Sequence, residues 1–223
     1  MKKAKHNRTR KGLVFPPVHK LMGCDLREKM NLAWVKDGKI HGTDGHIMFK
    51  LDVATWFIPP AESQLIEGKI LHRNHLKKMA DRSVRTVTAA IYGVIIEYKN
   101  GSHEHIPYVG EFIEDNKFEI TEKDCKKLFQ NGSEDEGEPV IMTPFNFDAH
   151  IPPNIGAITV SKISFDMKQM ERIADCFNVN DGGENLDQLT LSFPAGWSGY
   201  GYDKILCITS GNNSFYLTPI RVN

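Results

Sequence analysis

The side chains best suited to chemistry in this chain of 223 residues are its nine histidines. Three pairs lie close in sequence: His41 with His46, His72 with His75, and His103 with His105. His103 and His105 alternate in a strand-like stretch, so both imidazoles would point to one face, as the metal ligands of a hydrolase would. No third ligand joins any pair at a spacing typical of a metal site. We therefore interpret the histidines as surface or edge-strand residues and predict no metal and no other cofactor.

Other catalytic patterns are missing from the sequence. No serine stands in a Gly-x-Ser-x-Gly nucleophile motif. Gly182-Gly183 precedes a predicted strand and not a helix, which is the wrong order for a phosphate-binding loop. The four cysteines form no Cys-x-x-Cys pair, and buried, reduced thiols are the preferred interpretation. The sequence predicts that the protein is not an enzyme, and a metal-dependent hydrolase using His103 and His105 stays as the least favoured alternative.

Composition restricts the class of protein further. Hydrophobic residues make up 40% and charged residues 25% of the chain, as in an ordinary globular protein. No apolar run approaches the roughly 20 residues of a membrane helix, and residues 13–15 are too short for a signal peptide, so a cytoplasmic protein without membrane contact is expected. The 28 basic and 28 acidic side chains cancel, which argues against a simple nucleic-acid binder unless positive charge is concentrated locally.

A glycine-bearing bend stands at the centre of the most regular part of the sequence. Residues 32–35 alternate as a strand, and residues 36–39 carry a hairpin signal. Thr43-Asp44-Gly45-His46 then separates two strand-like runs. Because Asp and Gly tolerate the backbone angles of turns, spacing alone predicts a turn between two β-strands here.

This bend also resembles part of a family signature. Thr43-Asp44-Gly45-His46 is similar to the Ala-Thr-Asp-Gly-His-Arg-Leu motif of the bacterial β sliding clamp family, the processivity subunit of DNA polymerase III. The chain ends with Thr218-Pro219-Ile220-Arg221-Val222, which resembles the Met-Pro-Met-Arg-Leu terminus of that family. In those clamps the two segments lie together and line a groove that captures partner peptides.

The resemblance implies a hydrophobic peptide-binding groove in this chain. One wall would be formed by Thr43, Gly45, His46, Ile47 and Met48, and the opposite wall by Tyr216, Thr218, Pro219 and Ile220. Because Ile47-Met48 replaces the family's Arg-Leu, the partner's peptide motif is expected to differ. The alternative for the carboxyl end is an ordinary terminal strand packed in a sheet.

The elements that would position these residues follow a repeating order of strand, helix and strands. Helices are predicted over residues 73–82, 121–129 and 166–177, with one or two helical turns within 14–24. Strands are predicted at 85–90, 91–98, 103–108, 140–147, 188–193, 204–209 and 214–219, and Asn100-Gly101 is a strong hairpin signal. The predicted class is α+β. The resemblance implies a DNA-clamp fold of repeated β-α-β-β(-β) units, with helices on one face and antiparallel sheets on the other.

The repeat also suggests how the chain is divided. Residues 1–11 are predicted to be a disordered basic tail. Residues 12–115 and 116–223 would be two clamp-like domains, equivalent to the middle and last domains of the family. The first half of the second domain matches the family pattern poorly.

Positive charge is carried mainly by the predicted helices, and in clamps the helices face the central hole. The resemblance therefore implies a DNA-facing set: Lys20, Arg73, Lys77, Lys78, Arg82, Lys123, Lys126, Lys127, Lys168 and Arg172. Phosphate attraction of this kind carries no sequence information, so DNA could slide. The alternative is that exposed helix faces are simply rich in lysine.

The expected function is that of a DNA sliding clamp or polymerase processivity factor in DNA replication. The protein would encircle duplex DNA as a homo-oligomer and tether a DNA polymerase or other replication and repair proteins, with a clamp loader as a further candidate partner. Six domains close the known rings, so a trimer is expected, with a dimer as the alternative. The rival hypothesis is a clamp-fold adaptor or decoy that does not bind DNA.

Overall fold

The three-dimensional structure is a computed structural model. It describes residues 8–9, 13–23, 28–56, 60–121, 140–144, 155–156, 167–176, 178–179, 190–194, 206–210 and 213–217. In these ranges no helix is long and apolar enough to cross a membrane.

The described residues form two short α-helices and sixteen strands. The helices are α1 (Arg73–Met79) and α2 (Met167–Ala174), and 3₁₀ turns occupy Val18–Leu21, Glu28–Asn31, Val53–Thr55 and Pro60–Ile66. The first eight strands are β1 (Arg8–Thr9), β2 (Leu32–Lys36), β3 (Lys39–Thr43), β4 (Ile47–Asp52), β5 (Lys69–His72), β6 (Val84–Ala90), β7 (Gly93–Tyr98) and β8 (His103–Pro107). The others are β9 (Gly110–Glu114), β10 (Lys117–Ile120), β11 (Val140–Met142), β12 (Ile155–Gly156), β13 (Asn178–Val179), β14 (Thr190–Pro194), β15 (Leu206–Ser210) and β16 (Asn213–Leu217).

Antiparallel pairing connects these strands into one long sheet and two smaller ones. The long sheet has the order β11-β10-β9-β5-β2-β3-β4-β16-β15-β14-β12, a three-stranded sheet has the order β6-β7-β8, and β1 pairs with β13. Every pairing among them is antiparallel. The predicted α+β class, with antiparallel sheets and few helices, is confirmed.

The hairpins that the sequence predicts from local turn residues are present in the structure. Asp37 and Gly38 join β2 to β3 with φ angles of 54° and 68°, the left-handed conformation that two-residue hairpins need. Gly101 joins β7 to β8 with a φ of 85°. One difference is that Ile91 belongs to the β6–β7 turn and does not begin a strand as predicted.

The helices are shorter than predicted. α1 ends at Met79, where Ala80 still donates its N–H to Leu76 O but leaves the helical conformation. The predicted turns within residues 14–24 form only the 3₁₀ turn Val18–Leu21, which follows two prolines. The predicted helix over 121–129 lies outside the described residues, apart from its first position.

Most of the core lies between one face of the long sheet and a layer formed by the helices and the three-stranded sheet. Phe15, Phe49, Trp56 and Phe215 are among its largest fully buried side chains. The helix α2 adds Ile173 to this core. A second, smaller apolar cluster lies on the opposite face of the long sheet.

The strand β16, from the end of the chain, pairs with β4 and so joins the strands of the first half. Phe215 stands opposite Phe49 in this pairing, and Leu217 opposite Ile47. Nearer the β11 edge of the same sheet, β9 and β10 form a hairpin that spans the predicted boundary between residues 115 and 116. The division into two domains stays a prediction.

We predict that Phe215→Ala lowers the free energy of unfolding by about 3–5 kcal/mol, because it opens a cavity in a well-packed core. Ile91→Ala is the matched control, since that side chain is 63% exposed and surface truncations usually change stability by less than about 0.5 kcal/mol. Chemical denaturation followed by circular dichroism measures both. Equal stability of the two variants would contradict the placement of β16 in the core.

Candidate functional site

The turn between β3 and β4 (residues 43–47, here called the β3–β4 turn) is closed by its own side chains. Asp44 Oδ1 accepts hydrogen bonds from the backbone N–H groups of His46 and Ile47, each at 2.8 Å. Thr43 Oγ1 donates to Ile47 O at 2.8 Å and accepts from the N–H of Gly45 at 2.9 Å. Gly45 adopts a φ of 89°, which favours glycine. The motif therefore has a complete explanation as a turn.

The residues predicted for one groove wall are divided between surface and core. Gly45 and His46 are exposed, whereas Thr43 is buried. Successive strand residues point to opposite faces of a sheet, so Ile47 and Met48 separate. Ile47 lies in the main core with no exposed surface, and Met48 belongs to the cluster on the opposite face. Ile47 thus offers no surface to a ligand in this structure.

The strand β16 brings the second predicted wall next to the first. Tyr216 stands opposite Met48 in the β4–β16 pairing, and it packs, half-buried, against the cluster that contains Met48 and Trp34. The ring of Trp34 stacks on that of His41, with centroids 5.8 Å apart. Thr218, Pro219 and Ile220 lie outside the described residues. The use of this surface as a peptide groove stays a prediction.

Three residues of the predicted DNA-facing set meet around the 3₁₀ turn Val18–Leu21, which contacts both α1 and α2. Arg73 Nε donates to His19 O at 2.9 Å, and Arg172 Nε donates to Lys20 O at 2.5 Å. Lys20 Nζ forms an ion pair with Asp175 at 2.9 Å. Two backbone carbonyls of this turn therefore accept hydrogen bonds from arginines of both helices.

The imidazole of His19 lies partly buried among these cations. Its burial, followed by the charges of Arg73, Lys20 and Lys77, lowers the pKa of His19 to about 4. The ring is therefore neutral at pH 7 and adds no charge to the cations around it. We call Lys20, Arg73, Lys77 and Arg172 the cationic cluster.

Other members of the predicted DNA-facing set lie elsewhere. Lys78 pairs with Glu104 Oε1 at 2.5 Å, and the hydroxyl of Tyr98 donates to Glu104 Oε2 at 2.5 Å. These two hydrogen bonds lower the pKa of Glu104, and the bond to Glu104 is the main cause that raises the pKa of Tyr98 to about 12. Lys78 thus forms an ion pair with a residue of the three-stranded sheet. Arg82 and Lys168 are exposed, and three lysines fall outside the described residues: Lys123, Lys126 and Lys127.

Sequence reasoning missed one ion pair that joins the two predicted sites. Arg172 Nη2 lies 2.6 Å from Asp44 Oδ2, and the Asp44 side chain is only 12% exposed. A residue expected to face DNA therefore holds the carboxylate that closes the β3–β4 turn. The two positions are far apart in sequence, and no local pattern signals their contact.

The histidines and cysteines show no catalytic arrangement in the described part of the chain. His103 and His105 are exposed on β8. No group of three or more His, Cys, Asp or Glu side chains is placed to hold a metal ion among the residues that the structure describes. Cys176 and Cys207 are buried and form no disulfide, as predicted, and burial raises the pKa of Cys207.

Comparison with known proteins gives two similar solved structures, both from Pseudomonas aeruginosa. A DNA polymerase sliding clamp with ligand is 13% identical with a TM-score of 0.40, covering 94% of this chain and 65% of the clamp. A DnaN sliding clamp (DNA polymerase III subunit beta) bound to griselimycin is 11% identical with a TM-score of 0.34, covering 100% of this chain and 68% of the clamp. No protein family and no curated protein matches the sequence. Similarity of this size assigns no function, which has to be inferred from the chain's own residues.

We predict that Thr43→Val lowers the free energy of unfolding by about 1–3 kcal/mol, because the buried carbonyl of Ile47 loses its hydroxyl donor without a change in side-chain shape. Thr88→Val on the half-buried surface of β6 is the control, and it should change stability by less than about 0.5 kcal/mol. Thermal or chemical denaturation checks both variants. No difference between them would contradict the hydrogen bonding of the turn.

The lowered pKa of His19 predicts a pH dependence of stability. The unfolded chain takes up a proton near pH 6.5, whereas the folded chain resists it until about pH 4. The contribution of His19 is therefore fully present above pH 6.5 and is lost as the pH falls towards 4. In His19→Asn, the free energy of unfolding should fall less steeply over that interval than in the unmodified protein. Parallel curves for the two proteins, from denaturation at several pH values, would contradict this assignment.

Proposed function

We propose that the protein is a clamp-like DNA-binding protein. It holds duplex DNA through phosphate contacts on its helical surface and tethers a DNA-processing enzyme through a peptide bound beside β4 and β16. The observation that carries the proposal is the cationic cluster, where four cations from α1, α2 and the turn Val18–Leu21 face only two paired carboxylates, Asp175 and Asp44, on a chain with no net charge.

The chemistry of this cluster suits phosphate groups. Arginine and lysine neutralise phosphates without reading bases, so binding would be independent of sequence and sensitive to salt. Lys77 is exposed, and among the described residues it makes no ion pair. Acidic residues would repel DNA from other surfaces, which would favour approach along the helices.

The proposed peptide site lies on the other face of the long sheet. Tyr216, which is half-buried, supplies apolar surface at the β4–β16 pairing beside the buried Met48, and Gly45 and His46 are exposed at the neighbouring turn. An apolar surface bordered by turn backbone suits an extended peptide with one or two hydrophobic anchors. The partner would be a DNA polymerase or another replication or repair protein that carries such a peptide.

The proposed assembly is a homo-oligomeric ring around DNA, expected as a trimer of two-domain chains, with a clamp loader as a further proposed partner. An encircling protein differs from an ordinary DNA-binding protein in one measurable respect. It stays on a closed circle and leaves through a free end, because its binding depends on topology as well as on charge. The clamp-fold adaptor without DNA binding is the rival, and no described contact favours it.

We predict that Lys77→Glu weakens binding to nicked circular duplex DNA and lowers the slope of log K against log salt by about 1, the loss of one phosphate contact. Lys117→Glu is the matched control, because it makes the same charge change on β10, where Lys117 pairs with Glu114. Filter binding or fluorescence anisotropy across a salt series measures the slope.

Equal slopes for Lys77→Glu and Lys117→Glu would refute the role of the helix face. In the unmodified protein, cutting the circle should release bound protein if the ring proposal is correct. Retention after linearisation would mean open binding, and no binding even at low salt would favour the adaptor.

A further inference from the structure

We propose that Arg172 is a positioning residue that couples the cationic cluster to the β3–β4 turn, so that DNA on the helix face changes the peptide site. The inference rests on the proposed function, because it names how one proposed site regulates the other. It starts from the Arg172–Asp44 ion pair, which neither the sequence motif nor the peptide-groove hypothesis requires.

The first step concerns the Asp44 carboxylate, which has both oxygens engaged. Oδ1 accepts the N–H groups of His46 and Ile47, and Oδ2 lies 2.6 Å from the guanidinium of Arg172. A carboxylate that is 12% exposed is costly to leave without a counterion. The order of the turn therefore depends on a cation that α2 supplies.

The second step concerns how Arg172 is held. Its Nε donates to Lys20 O while its Nη2 contacts Asp44, so one planar fork connects the turn Val18–Leu21 with the β3–β4 turn. Lysine has a single charged nitrogen on a flexible stem and cannot reproduce this two-ended contact. Lys20 itself pairs with Asp175, one residue beyond the end of α2.

The third step is competition. The cations Lys20 and Arg172 are each matched to one carboxylate, Asp175 and Asp44. A DNA phosphate at this surface competes for the same cations and adds negative charge beside the carboxylates. It weakens the hold of Arg172 on Asp44, and the amides of His46 and Ile47 then open more often. By linkage, a peptide that binds the ordered turn weakens DNA binding by the same factor.

Hydrogen exchange at the backbone amides of His46 and Ile47 tests the positioning role without DNA. Arg172→Leu should raise their exchange rates at least about tenfold, which corresponds to about 1.4 kcal/mol. Lys168→Leu is the matched control, because it removes one charge from an exposed position of the same helix and should leave these rates unchanged. Arg172→Lys should give an intermediate rate. The amide of Ile96, in the core of β7, reports whether any variant has lost global stability.

Adding nicked circular duplex DNA tests the coupling. In the unmodified protein we expect the exchange of His46 and Ile47 to rise severalfold on DNA binding. Asp44→Asn keeps an oxygen that can accept the two amides but removes the charge that Arg172 holds. This variant should bind DNA and lose the DNA-dependent rise, a result that a merely structural role for the pair does not predict.

The outcomes separate this inference from the proposed function. Unchanged exchange in Arg172→Leu overturns the positioning role, whatever DNA does. Normal DNA binding with no change at His46 and Ile47 overturns the coupling and leaves the proposed function intact. Absence of DNA binding in the unmodified protein overturns the proposed function and with it the coupling, while the DNA-free comparison still decides whether Arg172 holds the turn.

Discussion

The pairing of β4 with β16 is the constraint on which the rest of the structure depends. It places a strand from the end of the chain against the strand that follows the β3–β4 turn, with Phe215 opposite Phe49 on the core side and Tyr216 opposite Met48 on the other. A shift by one residue would exchange these faces and put aromatic core residues into solvent. The register is therefore fixed by burial, and the main core and the proposed peptide surface are two sides of one pairing.

The second constraint is electrostatic, because a chain with no net charge attracts an anion only where charge is concentrated. Arg73 and Arg172 come from different helices and donate to carbonyls of the 3₁₀ turn Val18–Leu21, so their guanidinium groups are held in place by backbone. The neutral imidazole of His19 lies among them and avoids adding a further charge. Local folding thus creates a cationic surface that the overall charge of the sequence conceals.

What the sequence could predict was local. The hairpins at Asp37-Gly38 and Asn100-Gly101 and the β3–β4 turn follow from turn chemistry within a few residues, and the α+β class follows from the strand patterns around them. Helix ends were predicted less well, since α1 stops at Met79 although the helix was predicted to continue to Arg82.

What the sequence could not predict was long-range. Whether Ile47 or Met48 faces the core depends on which side of the sheet receives the helices, which the alternation of one strand does not specify. The pairs Lys78–Glu104 and Arg172–Asp44 depend on tertiary contacts between elements remote in sequence. For this reason a lysine expected to face DNA is engaged by the three-stranded sheet, and an arginine expected to do the same also holds a turn.

The Thr43–Asp44–Gly45–His46 motif shows why a matching pattern is weak support for a function. Four hydrogen bonds of the motif close the turn, so the types of residue in the motif are explained without a ligand. A proposed site needs something that turn chemistry does not require. Here that is the Arg172 guanidinium, because it comes from α2 and is not among the hydrogen bonds within the turn. The ion pair between Arg172 and Asp44 connects the turn with the cationic cluster. The proposed role of the motif therefore comes from a tertiary contact and not from its own sequence.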